Sequence, residues 1–322
     1  MTKRMSFKFK WVALVATLIV GLGSWQVLAH ADSSSDEPIV TLGSSLTSSQ
    51  KTGTINTLTA SLNGADYQTL TVNGDTLVKY LNPAGESFTS TSGVWSSAMI
   101  QKTSSGSGIN VKILDYNGSN NITTITANQY KNAALTAGIT DANIYVTSAT
   151  PIDGSGALAG VYAAYAKSGN SLNTKQVTAA QDELSTLSGI TQANKDKDGY
   201  TDSQLNNAVA GAKKEMAQKG SSVTKNEITT IVNQQITNNN LTNVITNNQK
   251  TEIINLLVKI RDSGALDSSS FKTQANSLMK NIQSNAKGVF SKLNTKENQN
   301  LLQKMWDGIV NFFSSIFKSI FG

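Results

Sequence analysis

Three stretches of this 322-residue chain carry residue types at spacings that could do chemistry, and a scattered set of acids adds a fourth candidate. Gly154-Ser155-Gly156-Ala157-Leu158-Ala159-Gly160 spells G-x-G-x-x-A ahead of a helical pattern, where backbone amides can hold a phosphate or another anion. Pro151-Ile152-Asp153 separates it from the preceding strand, so small residues packing a helix closely on a sheet account for it better. Asn194 to Asp202 matches nine positions of a calcium loop, with oxygens from Asn194, Asp196, Asp198 and Asp202 and a turn at Gly199. Position twelve is Leu205 where a bidentate Glu belongs, and a polar linker capping a helix through Thr201 or Asp202 explains the same residues. Ser48-Ser49-Gln50-Lys51-Thr52-Gly53 overlaps S-x-x-K with K-T-G, motifs that serine enzymes keep on separate elements. S-x-x-K recurs at Ser222, Ser277, Ser284 and Ser315, which marks it as chance. Asp75, Glu86, Asp115, Asp141 and Asp153 could supply a carboxylate pair for glycoside hydrolysis, but no spacing selects two of them.

What is missing narrows the chemistry further. The chain has no cysteine, and its one histidine is His30. Thiol nucleophiles, disulfides and thiolate metal sites are excluded. So, beyond residue 31, are a Ser-His-Asp triad, a histidine base and a histidine-ligated metal. No cofactor is expected.

His30 itself sits in an export pattern. Lys3, Arg4, Lys8 and Lys10 precede the apolar run WVALVATLIVGL, and Ala29-His30-Ala31 is an A-x-A site. The run is shorter than the roughly 20 residues of a membrane span, so residues 1–31 read as a cleavable signal peptide. The expected location is secreted or extracellular, with association to membrane or cell wall. The full chain has 27 basic and 21 acidic residues, and four basic ones lie in the signal, leaving 23 against 21. That near-balance speaks against nucleic acid as a partner.

The elements that would position these residues change character midway. After a polar linker at 32–38, strands are expected at Ile39–Leu42, around Leu70 and Val72, at Trp95–Thr103, at Ile109–Leu114 and at Ile144–Thr147. The third and fourth, joined by Ser104-Ser105-Gly106-Ser107-Gly108, look like a hairpin. Helices are expected at Leu46–Leu62, after Asp75 as cap, after the capping box Thr126/Gln129, and from Ser155 to Lys167. Beyond Gly169 only helical spacing remains. One helix ends near Gly189, one near Gly220, two begin at the capping boxes Thr224/Glu227 and Thr246/Gln249, and a long apolar stripe runs from Phe271 to Leu293. The expected architecture is an α/β (α+β) domain at 39–170, a helical domain at 171–293 and an amphipathic C-terminal helix at 294–322.

That last helix has the strongest periodicity in the chain. At about 100° per residue, Met305, Trp306, Ile309, Val310, Phe312, Phe313, Ile316, Phe317, Ile320 and Phe321 occupy one half of the cylinder. Asp307, Asn311, Ser314, Ser315, Lys318 and Ser319 occupy the other. Each large side chain buried is worth roughly 1.5–3 kcal/mol, so this face suits a membrane interface or an envelope partner. The competing expectation pairs Leu301, Leu302, Met305 and Trp306 with the stripe from Phe271 to Leu293.

Residues 39–279 resemble the YpuA-like family of secreted Firmicute proteins (domain of unknown function 1002). The resemblance is carried by IVTLGSSLTSSQ at 39–50, SGINVKI at 107–113 and, above all, ITTITANQYKNAALTAGITDANIYVTSATPIDGSGALAG at 122–160. It implies an exported, envelope-facing protein and transfers no catalytic residue. The leading expectation is a non-enzymatic binding or structural module; the alternative is a histidine-independent hydrolase acting on envelope glycans through acidic residues.

Overall fold

A computed structural model describes residues 37–293. Its first half is built on a five-stranded mixed sheet: β1 (Ile39–Gly43), β2 (Gln68–Val72), β3 (Ser96–Lys102), β4 (Ile109–Ile113) and β5 (Ala142–Ser148), in the order β2-β1-β3-β5-β4. β1 runs parallel to β2 and antiparallel to β3, while β5 runs antiparallel to β3 and parallel to β4. Four helices accompany it: α1 (Ser48–Thr59), α2 (Gly74–Tyr80), α3 (Ala127–Thr136) and α4 (Ser155–Lys167). The second half is helical throughout, with α5 (Thr174–Asn194), α6 (Asp202–Lys219), α7 (Lys225–Asn238), α8 (Asn247–Asp262), α9 (Ser269–Asn285) and α10 (Lys287–Leu293). The expected order, α/β followed by all-helical, is the order observed.

The pleat decides what covers each face. Val40, Leu42 and Met99 point to one side, where Leu58 and Leu62 of the α1 segment close a small core. Ile39, Ala98, Ile100, Val111, Ile144 and Val146 point to the other, into a large core shared with α3 and α4. That large core continues through Leu184, Leu205, Val232, Leu257 and Leu278 of the helical half without interruption. The change of secondary structure near residue 170 is therefore not a break in packing.

Several expectations need correcting. β3 and β4 do not form a hairpin, because β5 inserts between them over seven register pairs from Ser96↔Ser148 to Lys102↔Ala142. β4 carries the exposed Lys112 and takes the sheet edge, where a charge is tolerated and discourages further pairing. Asn73, not Asp75, caps α2: its side chain accepts from the Thr76 amide, and Asp75 stands in the first turn. α5 continues through Gly189 to Asn194, since nothing crowds that glycine and Ile190, Thr191 and Asn194 beyond it are buried. The stripe from Phe271 breaks at Ala286 (φ −116°, ψ 37°), leaving α9 and α10 as separate helices. The capping boxes at Thr126, Thr224 and Thr246 form as their spelling requires.

Candidate functional site

The polar chemistry of this molecule concentrates where the two halves meet, along α3. Tyr130, Ala133 and Ala134 are buried along one face, as expected, with Ala137 at the helix end. The opposite flank, Gln129, Asn132 and Thr136, is equally buried and faces the second half. Gln129 Nε2 donates to Thr191 Oγ1 at 2.9 Å, and Asn132 Nδ2 donates to Asn206 Oδ1 at 3.0 Å. Thr136 Oγ1 donates to Glu183 Oε2 at 2.5 Å. Lys213 Nζ donates to Glu183 Oε1 at 2.8 Å, to the Asn132 carbonyl at 3.0 Å and to Thr136 Oγ1 at 3.3 Å. All three ammonium protons are thus placed, and both charged side chains are wholly excluded from solvent. Burial pulls the Lys213 ammonium below the usual lysine range, and the Glu183 charge works against that pull.

The same seam continues to the start of α6. Asp202 accepts from Thr126 Oγ1 at 2.9 Å, Asn128 Nδ2 at 3.0 Å and Asn206 Nδ2 at 2.8 Å. Burial raises its carboxyl above the ordinary aspartate value despite these donors and the nearby Lys131 charge. Tyr162 of α4 lies against the Tyr80 ring, fully buried, with a hydroxyl that has no hydrogen-bond partner. Burial, with the Glu183 charge adding to it, pushes that phenol well up. The Lys213–Glu183 pair ties α6 to α5 and, through Asn132 and Thr136, to α3, so its evident chemistry is cohesion.

A cleft does open at one end of the seam. Its volume is about 120 Å³, and its lining includes Glu86, Asp153, Ser155, Gln181 and Ser188. Asp153 stands exposed at the rim, where its Oδ1 accepts from the Gly154 amide at 2.7 Å and the Ser155 amide at 3.3 Å. Glu86 is half-buried and meets Gln181 Nε2 only at a long 3.5 Å. Ligand pockets usually span roughly 300–1,000 Å³, so this cleft is too small to enclose a sugar ring and its neighbours.

The other residues singled out in the sequence are scattered. Gly156 and Gly160 seat α4 on the sheet: a Cβ would lie 2.9 Å from Ser96 Oγ at the first and 2.5 Å from Thr41 Oγ1 at the second. Close packing therefore explains the glycine-rich stretch. Of the partial calcium loop, Asn194 is buried with its Oδ1 taken by Lys197 Nζ at 2.7 Å, Asp202 is bound into the seam, and Asp196 and Asp198 are exposed. Among the described residues, no group of three or more acidic side chains is placed to hold a metal. Ser48, Lys51 and Gly53 all lie on the single helix α1. Asp141 Oδ1 accepts from the Gly108 amide and from Gln274 Nε2, away from the cleft. Residues 1–31, expected to form a signal peptide, and the C-terminal positions Trp306, Ile309, Val310, Phe312, Phe313, Ile316, Phe317, Ile320 and Phe321 lie outside the described residues.

Sequence reasoning missed the buried flank of α3. Gln129, Asn132 and Thr136 recur at helical spacing, a signal that was available, but polar periodicity normally marks a solvated face. The chain is 29% identical, over 314 residues, to the uncharacterized protein YpuA of Bacillus subtilis (strain 168), covering 96% of this chain and 97% of that one. No solved structure matches it. The family model for proteins of unknown function called DUF1002 matches residues 42–278, and the chain belongs to that family.

Proposed function

We propose that this chain is an exported, envelope-associated binding or structural module, non-enzymatic, that holds to a membrane surface through its C-terminal helix. One observation carries the reading. The apolar stripe of α9 that could have received the tail is already occupied: Phe271, Ala275, Leu278 and Ile282 are buried in the main core, with α9 packed on α6 and α3. Tyr67 and Trp95 are the exposed large hydrophobic side chains of the described body. The ten apolar positions from Met305 to Phe321 therefore need another partner, and a bilayer interface supplies one. No helix among the described residues is long and apolar enough to cross a membrane; the one-sided apolar pattern from Met305 to Phe321 suits attachment in the interface plane.

The test is fractionation of tagged full-length protein beside a version ending at Lys304, with co-sedimentation on anionic vesicles. The full chain is expected with membranes and vesicles, and the shortened one in the medium and supernatant. Equal release of both would overturn the proposal. A second reading, hydrolysis of envelope glycans by a carboxylate pair, draws support from Glu86 and Asp153 lining one cleft. The small volume and the capping duty of Asp153 weigh against it. Reducing ends released from wall glycan by the wild type, but not by Glu86→Gln, would favour it.

A further inference from the structure

We propose that the cleft between Glu86, Asp153 and Gln181 is a weak binding site for a hard divalent cation, calcium. Its lining carries two carboxylates from separate loops and no lysine or arginine. The second observation lies at its inner wall. Gln181 is only 2% exposed, yet its Oε1 has no hydrogen-bond partner. The amide cannot simply be turned over, because Nε2 faces Glu86 Oε1 and the reverse orientation would set two oxygens against each other. A buried acceptor left without a donor is costly and calls for an explanation. A cation answers it, because the same lining sets the Glu86 and Asp153 carboxylates beside that amide.

The remaining polar lining is hydroxyl: Thr124, Ser155, Ser185 and Ser188. Calcium takes six to eight oxygens from carboxylates, amide carbonyls and waters in a flexible arrangement, whereas magnesium demands a tight octahedron and dehydrates reluctantly. A volume of about 120 Å³ leaves room for an ion that keeps part of its hydration. Two larger cavities lack this character. One of about 390 Å³ has no charged lining, and in one of about 440 Å³ Lys175 and Lys259 balance Asp182 and Asp262. With two carboxylates, the expected dissociation constant is that of weak extracellular modules, about 10⁻⁴–10⁻³ M.

The experiment uses the full chain stripped of metal with EGTA, followed by thermal unfolding and titration calorimetry with CaCl2 and MgCl2. Calcium at 10 mM is expected to raise Tm by about 2–5 °C, and magnesium by less than half as much. The rise should vanish in Glu86→Gln and in Asp153→Asn, which keeps an acceptor for the α4 amides, and shrink in Gln181→Met. It should persist in Asp196→Asn combined with Asp198→Asn. No calcium response, an equal response to magnesium, or a response surviving both carboxylate variants would overturn the site. Loss of response only in the Asp196/Asp198 variant would overturn it too, by moving the ion to the other loop. Should Glu86→Gln fail to fold, Asp153→Asn decides.

Discussion

Helices α3 and α4 cover the same face of the sheet by opposite chemistry. α4 approaches through Gly156, Ala157, Gly160 and Ala164, whose smallness lets the backbone come close, and its buried residues are almost all apolar. α3 is apolar toward the sheet, but its outer flank is a row of amides and hydroxyls tied to α5 and α6, ending in an ion pair sealed from water. The first interface tolerates approximate chemistry and demands exact volume. The second demands that every donor keep its acceptor, because an orphaned polar group in a dry site loses its full hydration. One contact is strict about space, the other about partners.

That contrast can be broken by substitution. The largest effect is expected from Glu183→Ala, which strands the Lys213 ammonium in the core and should cost about 3–5 kcal/mol in urea unfolding. Glu183→Leu combined with Lys213→Met should recover most of it, since two apolar residues leave no charge to solvate. A double variant as unstable as the single would show that shape, not charge, holds the seam. Next is Gly160→Ala. Its methyl would meet Thr41 Oγ1, which cannot yield easily because it donates to the Ala98 carbonyl and accepts from the Ala98 amide. A loss of about 1–3 kcal/mol follows from overpacking, and an unchanged Tm would refute the close-packing account of that helix.

Asp202→Asn sharpens the electrostatic side. The amide keeps one acceptor but turns an NH2 toward Asn128 or toward Thr126 and Asn206, so about 1–2 kcal/mol should be lost at pH 7. The pH dependence has a definite sign. The Asp202 carboxyl is raised in the folded state, so the folded chain takes up its proton before the unfolded chain does. Acidification through that interval therefore stabilises the wild type relative to Asp202→Asn, and the gap between them should widen from pH 7 toward pH 4. A gap that narrows would mean that hydrogen bonding outweighs burial there. The smallest effect expected is a gain: Gly189→Ala, inside α5 with open space around it, should add about 0.4–1 kcal/mol.

Most individual elements were legible before folding was considered. Thr126/Gln129, Thr224/Glu227 and Thr246/Gln249 announce helix starts because the bonds they make are local, three residues apart. Ile109, Val111 and Ile113 announce a strand by alternation, although their neighbour in the sheet was misjudged. Of the candidate sites, the carboxylates of the cleft were named among five acids, but their pairing was invisible. Glu86 and Asp153 are 67 positions apart, and only the return of the chain at α4 brings them to one opening. Gln181, the third member, gave no signal at all.

By itself the sequence determined the chemistry that its composition excludes, the order of α/β and helical halves, the capping boxes at Thr126, Thr224 and Thr246 and the glycine face of α4. Each depends on composition or on contacts within a few residues along the chain. Tertiary structure alone decided that β5 lies between β3 and β4, that α3 is buried on both sides, and that Glu183 meets Lys213. Those outcomes turn on which distant surface excludes water from a polar group, and a linear pattern of polar residues reads the same whether its partner is solvent or another helix.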